Sequence, residues 1–289
     1  MKIKWFLLPI LFVAILIFSA FHSARTTSKQ TLMFQQKNRI TVYLAGDSTV
    51  ANYPKTWEPK AGWGQMIAAM FDEHVIVKNV AVPGRSSKSF IKEGRLSRIL
   101  NQIHKGDYLL IQFGHNDEKI EDPTRYTDPT TTYKSYLKQY IDGSRKRGAI
   151  PVLVTPVERR QFSRDNQALA THGQYPDAMR EVGREEKVAV IDLNKKSREL
   201  FQQQGPVKTK ELFLFLDAGV NHNFLRGVKD NTHFQEKGAY MMARLVVMEI
   251  KAQKLPLQMY ISNKRSCHME CVSKWKNQKK FMQGQVACY

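Results

Sequence analysis

The segment ITVYLAGDSTVAN, residues 40–52, decides the fold. Residues 40–45 are apolar, aromatic or β-branched without a break, as in a strand covered on both faces. They run directly into Gly46, Asp47 and Ser48. Turn chemistry gives one reason: Gly46 permits an unusual backbone, and Asp47 or Ser48 can cap the next turn of chain. A second reason is chemical, because a serine at the end of a rigid strand stays where a base can reach it.

The same strand-like pattern returns at 75–82, 108–113, 150–155 and 188–193, and amphipathic stretches at 63–71, 87–103, 131–147, 175–186 and 234–253 alternate with it. Five strands separated by helices predict an α/β chain, an open three-layer α/β/α sandwich on a five-stranded parallel sheet with one core and no repeat. Ligands of such sheets lie outside the carboxyl ends of the strands. Polar clusters stand there: Gly-Asp-Ser after the first strand, PGRSS (83–87) after the second, GHND (114–117) after the third. A fourth cluster, KDNTHFQEKGAY at 229–240, precedes the last helix. The spacing of Thr232 and Gln235 predicts a capping box, with His233 in the first helical turn.

Serine is a weak nucleophile unless a base takes its proton, and the base needs a partner that fixes its tautomer. Asp230 and His233 have the spacing for such a pair, and a helix N-terminus would help keep the resting imidazole neutral. A tetrahedral intermediate needs donors on its oxyanion. The backbone N–H groups of Ser48 and Gly84 and the side chain of Asn116 supply three. Each block also has a plain structural reading: a turn at Gly46, a turn at Gly84 after Pro83, caps at Asn116 and Asp230. Their joint order at strand ends is what points to acyl transfer.

Composition narrows the setting. A chain of 289 residues with 42% hydrophobic residues has the makings of one sizeable globular domain. Lys2 and Lys4 precede an apolar run over 5–21, with small residues at Ser19, Ala20, Ser23 and Ala24. That order predicts an export signal or an uncleaved anchor over 1–27, and a secreted protein that is free or associated with membrane or cell wall. The formal charge of +19 is spread along the chain and not gathered in a stripe with interleaved aromatics, which argues against nucleic acid and for an acidic polymer. Cys267, Cys271 and Cys288 all lie in the tail, so the body folds without disulfides, and Cys-x3-Cys with His268 falls short of a metal site.

The four blocks resemble those of the SGNH, or GDSL-like, hydrolases, carried by Gly46-Asp47-Ser48, Gly84, Gly114-His115-Asn116-Asp117 and Asp230-Asn231-Thr232-His233. Within that superfamily GDSTVANY, GWGQMI, GRSSKSF, FGHND, VTPVERR, HGQYPDAMR and DNTHFQEKGA are most similar to the rhamnogalacturonan acetylesterase group. The likeness covers about 40–260. It implies a flavodoxin-like sandwich and a metal-free, cofactor-free serine esterase that removes acetyl groups from pectic polysaccharide. Carried over by position, Ser48 is the nucleophile, His233 the base and Asp230 its orienter, with Ser48, Gly84 and Asn116 around the oxyanion. Asp47 is assigned to the turn and His115 to a structural or supporting place. Domain bounds are then 38–261 for the catalytic domain and 262–289 for a basic tail that departs from the family.

Trp63, Arg85, His115 and Arg159 are the expected substrate contacts, within a wider set of Trp57, Lys88, Lys92, Arg160 and Arg164 suited to stacking on sugars and pairing with uronates. The partners expected are an acetylated acidic polysaccharide, no nucleic acid, and membrane only through the N-terminal segment, with a monomer as the working unit. A lipase, lysophospholipase or thioesterase on the same sandwich is the rival enzyme, and a carbohydrate-binding protein that kept the fold is the rival outside enzymes. The chain has no G-x-S-x-G, H-E-x-x-H or P-loop pattern, which sets aside other hydrolase and nucleotide chemistries.

Overall fold

Residues 39 onward leave little choice of conformation: β-branched and aromatic side chains fill β1 (Ile40–Gly46), and every residue from Val42 to the end of the strand is buried. The computed structural model describes residues 38–262. The expected N-terminal signal and nearly all of the basic tail lie outside the described residues.

Five parallel strands form the main sheet: β1, β3 (Val75–Asn79), β4 (Tyr108–Gln112), β5 (Ile150–Val154) and β6 (Ala189–Ile191). Their order is β3-β1-β4-β5-β6. The chain leaves β1 for one neighbour and then crosses to the other, so β1 marks the point where the winding reverses. A crevice opens there at the carboxyl ends. This is the open parallel sheet read from the residues, in the flavodoxin-like order that the family resemblance implies.

Alternation along the strands divides the core in two. Val42, Leu44, Leu110, Val152 and Val154 face one side with Trp63, Ile67, Phe201, Met242 and Val246. Tyr43, Leu109, Ile111 and Leu153 face the other with Phe90, Leu96, Tyr140, Met179 and Val182. The first layer is built by α1 (Trp63–Met66), α6 (Leu193–Lys208) and α7 (Glu236–Ala252). The second is built by α2 (Ser87–Lys92), α3 (Arg95–Leu100), α4 (Thr132–Lys146) and α5 (Tyr175–Glu185). Each fully buried side chain of this size contributes about 1.5–3 kcal/mol.

Several elements differ from expectation. The helix expected over 87–103 is two, because Gly94 takes a left-handed φ of 70° between α2 and α3. The helix expected over 63–71 tightens after Met66 into a 3-10 turn at Ile67–Met70. Helix α6 was hidden by its polar composition, although Leu193, Ser197 and Phe201 recur at helical spacing on its buried side. A second sheet was also hidden: β2 (Lys60–Ala61), β8 (Val228–Gln235) and β7 (Phe213–Leu216), antiparallel in the order β2-β8-β7.

That second sheet corrects the reading of His233. The residue lies on β8, not in a helical turn, and α7 begins only at Glu236. Gln235 does not close a capping box; its side-chain amide donates to the Phe213 carbonyl across the sheet, 2.8 Å. His233 therefore stands on a strand before the helix and not in its first turn.

Asp117 ties the loop after β4 to the start of α2. Its Oδ1 accepts from the Ser87 N–H (3.0 Å), the Thr127 hydroxyl (3.1 Å) and the Ser87 hydroxyl. Burial raises its carboxyl from 3.8 to about 7, against the lowering effect of those donors. The Ser87 N–H also reaches Oδ2, at 3.2 Å, while both hydroxyls bond Oδ1 alone, so a proton on Oδ2 leaves the hydroxyl bonds in place. Two outcomes are expected in denaturant unfolding. Leu110→Ala lowers stability by about 2–5 kcal/mol through the cavity it leaves. Asp117 keeps its proton in the folded state and loses it in the unfolded one, so its contribution is complete below about pH 4 and fades as pH rises toward 7, by up to about 1.4 kcal/mol per pH unit. Asp117→Asn keeps the accepting oxygen and removes that slope. An unchanged slope in the variant would contradict the assignment.

Candidate active site

Ser48 sits in the turn after β1 with 9% of its surface exposed, and the turn is braced from beneath. Asp47 Oδ1 accepts from the N–H and the hydroxyl of Thr49, both 2.8 Å. The Thr49 hydroxyl accepts from Gln112 Nε2 at 2.6 Å, and Gln112 Oε1 accepts from Trp63 Nε1 at 2.8 Å. Tyr53 adds a bond from its hydroxyl to the Ser48 carbonyl, 2.8 Å. Gly46 is required at the strand end, because a Cβ there would stand 2.6 Å from Val50 Cγ2.

β8 delivers the other two groups. His233 Nε2 lies 2.9 Å from Ser48 Oγ, and His233 Nδ1 lies 2.6 Å from Asp230 Oδ2. The bond to Asp230 fixes the proton on Nδ1, which leaves Nε2 free to accept from the serine hydroxyl. Asp230 Oδ1 in turn accepts from the N–H groups of Thr232 (2.7 Å) and His233 (3.0 Å). Burial alone would raise the Asp230 carboxyl, but its bond and attraction to His233 and the two backbone donors hold it at about 2. It is ionised throughout the neutral range, as a partner for an imidazolium must be.

The three oxyanion candidates stand at the ends of β1, β3 and β4. Gly84 turns the chain with φ of 78°, a conformation that favours glycine. The N–H groups of Ser48 and Gly84 have no protein acceptor among the described residues. Asn116 is 5% exposed; its Nδ2 donates to the Arg85 carbonyl at 3.1 Å with one hydrogen and keeps the other. Arg125 Nη1 donates to Asn116 Oδ1 at 3.4 Å, which sets which end of the amide is the donor.

Two of the four expected substrate contacts, Trp63 and His115, need correction, and both arginines already hold a carboxylate. Trp63 is 1% exposed and belongs to the brace beneath Ser48, so no sugar reaches its face. His115 is 3% exposed, edge-on to His172 at 4.3 Å between ring centroids, with Nδ1 3.4 Å from Asp47 Oδ2. Burial, with the neighbouring His172, lowers its pKa to about 4 and leaves it a neutral packing group under the turn. The Arg159 guanidinium is taken up by Glu118 and by the Thr171 carbonyl at 3.1 Å. Arg85 keeps a surface position at the rim, its Nε on both Glu93 oxygens at 3.0 and 3.1 Å.

Two groups take places the sequence did not give them: Arg160 was expected only as a sugar or uronate contact, and Lys60 was not singled out. Arg160 clamps the catalytic loop: its N–H donates to the Asn231 carbonyl (2.8 Å) and its Nη1 to Asn231 Oδ1 (2.9 Å), while its guanidinium lies over the Phe215 ring at 5.0 Å. Lys60, buried beside Tyr53 and Trp57, holds its ammonium 4.9 and 5.2 Å from their ring centres. Trp57, and not Trp63, carries the ring that solvent reaches, at 49% exposure. A small cluster of Asp72, Glu73 and His74 stands just before β3, at the amino end of the sheet and away from Ser48.

A serine hydroxyl within hydrogen-bond reach of an imidazole, an ionised carboxylate behind it and vacant donors beside it form an arrangement that can carry acyl transfer. Comparison with known proteins agrees with that chemistry. The model of the GDSL-like Lipase/Acylhydrolase family matches residues 44–239. Rhamnogalacturonan acetylesterase RhgT of Bacillus subtilis is 46% identical over 222 residues, which cover 77% of this chain and 94% of that protein. Probable rhamnogalacturonan acetylesterase YesY of the same organism is 44% identical over 224 residues, covering 78% and 98%. The X-ray structure of YxiM from Bacillus subtilis is similar at 31% identity with a TM-score of 0.63; the match covers 76% of this chain and 58% of that one. The chain belongs to the GDSL-like lipase/acylhydrolase family and is a carboxylic ester hydrolase.

Proposed function

We propose that this chain is an exported serine esterase that removes O-acetyl groups from an acidic pectic polysaccharide, rhamnogalacturonan, through a Ser48–His233–Asp230 acyl-enzyme mechanism. The observation that carries the mechanism is the unbroken line from Ser48 Oγ through His233 to Asp230, at 2.9 and 2.6 Å. The substrate class rests on two relatives named for it at 46% and 44% identity over most of their length. Export rests on the basic and apolar order of the first residues, with Lys2 and Lys4 ahead of the run at 5–21.

In the reaction Ser48 Oγ attacks the acetyl carbonyl while His233 Nε2 takes its proton. Asp230 stabilises the imidazolium that forms, and the N–H groups of Ser48 and Gly84 with Asn116 Nδ2 bind the oxyanion. Collapse passes the proton from His233 to the departing sugar hydroxyl and leaves an acetyl ester on Ser48. Water, deprotonated by His233, then attacks that ester, and the second collapse returns the proton from His233 to Ser48 Oγ and releases acetate. The surroundings of Gly84 carry Arg85, Lys92 and Arg125 and not an apolar tunnel, which favours a sugar acid over a long acyl chain.

Acetate release from acetylated rhamnogalacturonan, with acetylated xylan and short- and long-chain nitrophenyl esters alongside, tests the reading. Ser48→Ala is expected to abolish release while leaving the unfolding curve unchanged; a variant that still turned over would sink the mechanism. Preference for long acyl chains would move the protein to the lipases, and inactivity on every ester would leave a binding protein. Arg160→Ala is expected to lower kcat by about tenfold with little change in KM, because it loosens Asp230 without touching the serine. Asp230→Ala should cost more, on the order of a thousandfold. A change in KM alone from Arg160→Ala would mean that Arg160 contacts substrate instead.

A further inference from the structure

A hollow of about 430 Å³ opens beside Gly84, lined by Arg85, Lys92, Glu93 and Arg125. That volume lies in the range that takes a small ligand. It borders two of the oxyanion candidates, since Gly84 forms part of its wall and Arg125 bonds Asn116 Oδ1. Anything seated there adjoins residues assigned to the oxyanion.

The charge of the hollow is unbalanced. Glu93 is shared between Arg85 and Arg95, whose Nε lies 2.5 Å from it, and Asp122 is taken by Arg125 at 2.5 Å. Lys88, outside the lining, donates to the Pro123 carbonyl at 2.6 Å. Lys92, exposed at the end of α2, has no carboxylate partner among the described residues. Among the lining residues the cations Arg85, Lys92 and Arg125 therefore outnumber the one carboxylate, Glu93, and the ammonium of Lys92 is the one with no carboxylate partner among the described residues. Solvated lysines are common, but this one is exposed beside two guanidiniums at the edge of a reactive serine, where repulsion would favour an incoming anion.

We propose that this hollow is a carboxylate subsite, in which Lys92 and Arg125 hold a uronate carboxyl of the polysaccharide and so place a neighbouring acetyl ester on Ser48. The inference rests on the acetylesterase reading above and adds the recognition element. It explains why Arg85 and Arg125 are each anchored by a carboxylate: the anchors fix their positions, while Lys92 supplies the free charge. Binding of this kind acts on the negatively charged polymer and not on a neutral ester of the same acid.

The test uses three substrates with one enzyme preparation: acetylated rhamnogalacturonan, the same polymer with its uronate carboxyls reduced to alcohols, and 4-nitrophenyl acetate. The wild type is expected to lose roughly tenfold in kcat/KM, mainly through KM, when the carboxyls are reduced. Lys92→Gln is expected to lower the ratio of native-polymer to nitrophenyl acetate hydrolysis by a similar factor, with little further loss on the reduced polymer, and Lys92→Arg to restore most of it. Added salt should weaken the wild type on native polymer more than Lys92→Gln. Equal kcat/KM on native and reduced polymer in the wild type would overturn the subsite while leaving the esterase intact. Hydrolysis of nitrophenyl acetate without acetate from either polymer would instead overturn the polysaccharide reading beneath it.

Discussion

The hydrogen-bond line Trp63–Gln112–Thr49–Asp47 is the constraint on which the site depends. Each of its members is buried, so each bond is made where water cannot replace it, and removal of one partner would leave an orphaned polar group costing about 1–3 kcal/mol. The line joins the helix after β1, the end of β4 and the serine turn. It fixes the backbone of Ser48 from the side opposite its hydroxyl. Because the turn cannot move, the single contact at 2.9 Å with His233 can be met by a strand from a different sheet.

That second sheet has its own brace. β8 is held between β2 and β7, and Arg160 grips Asn231 by both backbone and side chain. The nucleophile and the base thus belong to separate, rigid supports, and their geometry comes from how α1 and α7 pack on one face of the main sheet. Catalytic groups held this way need little reorganisation when charge develops. Around them the two rims differ: Trp57 and Tyr53 with Lys60 on one side, the cationic hollow at Gly84 on the other. A flat sugar face and a charged carboxyl call for surfaces of those two kinds.

Much of this was legible in the residues. Near-continuous apolar runs mark the buried parallel strands β1, β4 and β5, while the edge strands β3 and β6 lie where the expected runs do but are only partly buried. The clusters at their carboxyl ends converge because the winding reverses at β1. What escaped did so for local reasons. His233 comes after Asp230 at a spacing that suits a helix cap as well as a strand, and only pairing with β7 and β2, distant in sequence, decides between them. Trp63 has the composition of a sugar site, yet it is buried and bonded to Gln112, and Arg159 is paired with Glu118; no one-dimensional pattern reports such partners. Arg160 gave no signal beyond its charge, since its role depends on Asn231, which lies 71 positions away.

The most direct measurement of the central claim is covalent trapping with a fluorophosphonate, whose phosphorus takes the attack of an activated serine and expels fluoride. The account predicts stoichiometric loss of activity, one modified peptide, the label on Ser48, and a reaction slowed by orders of magnitude in His233→Ala. Full activity after exhaustive treatment, or a label on another residue with the same loss of activity, would contradict it.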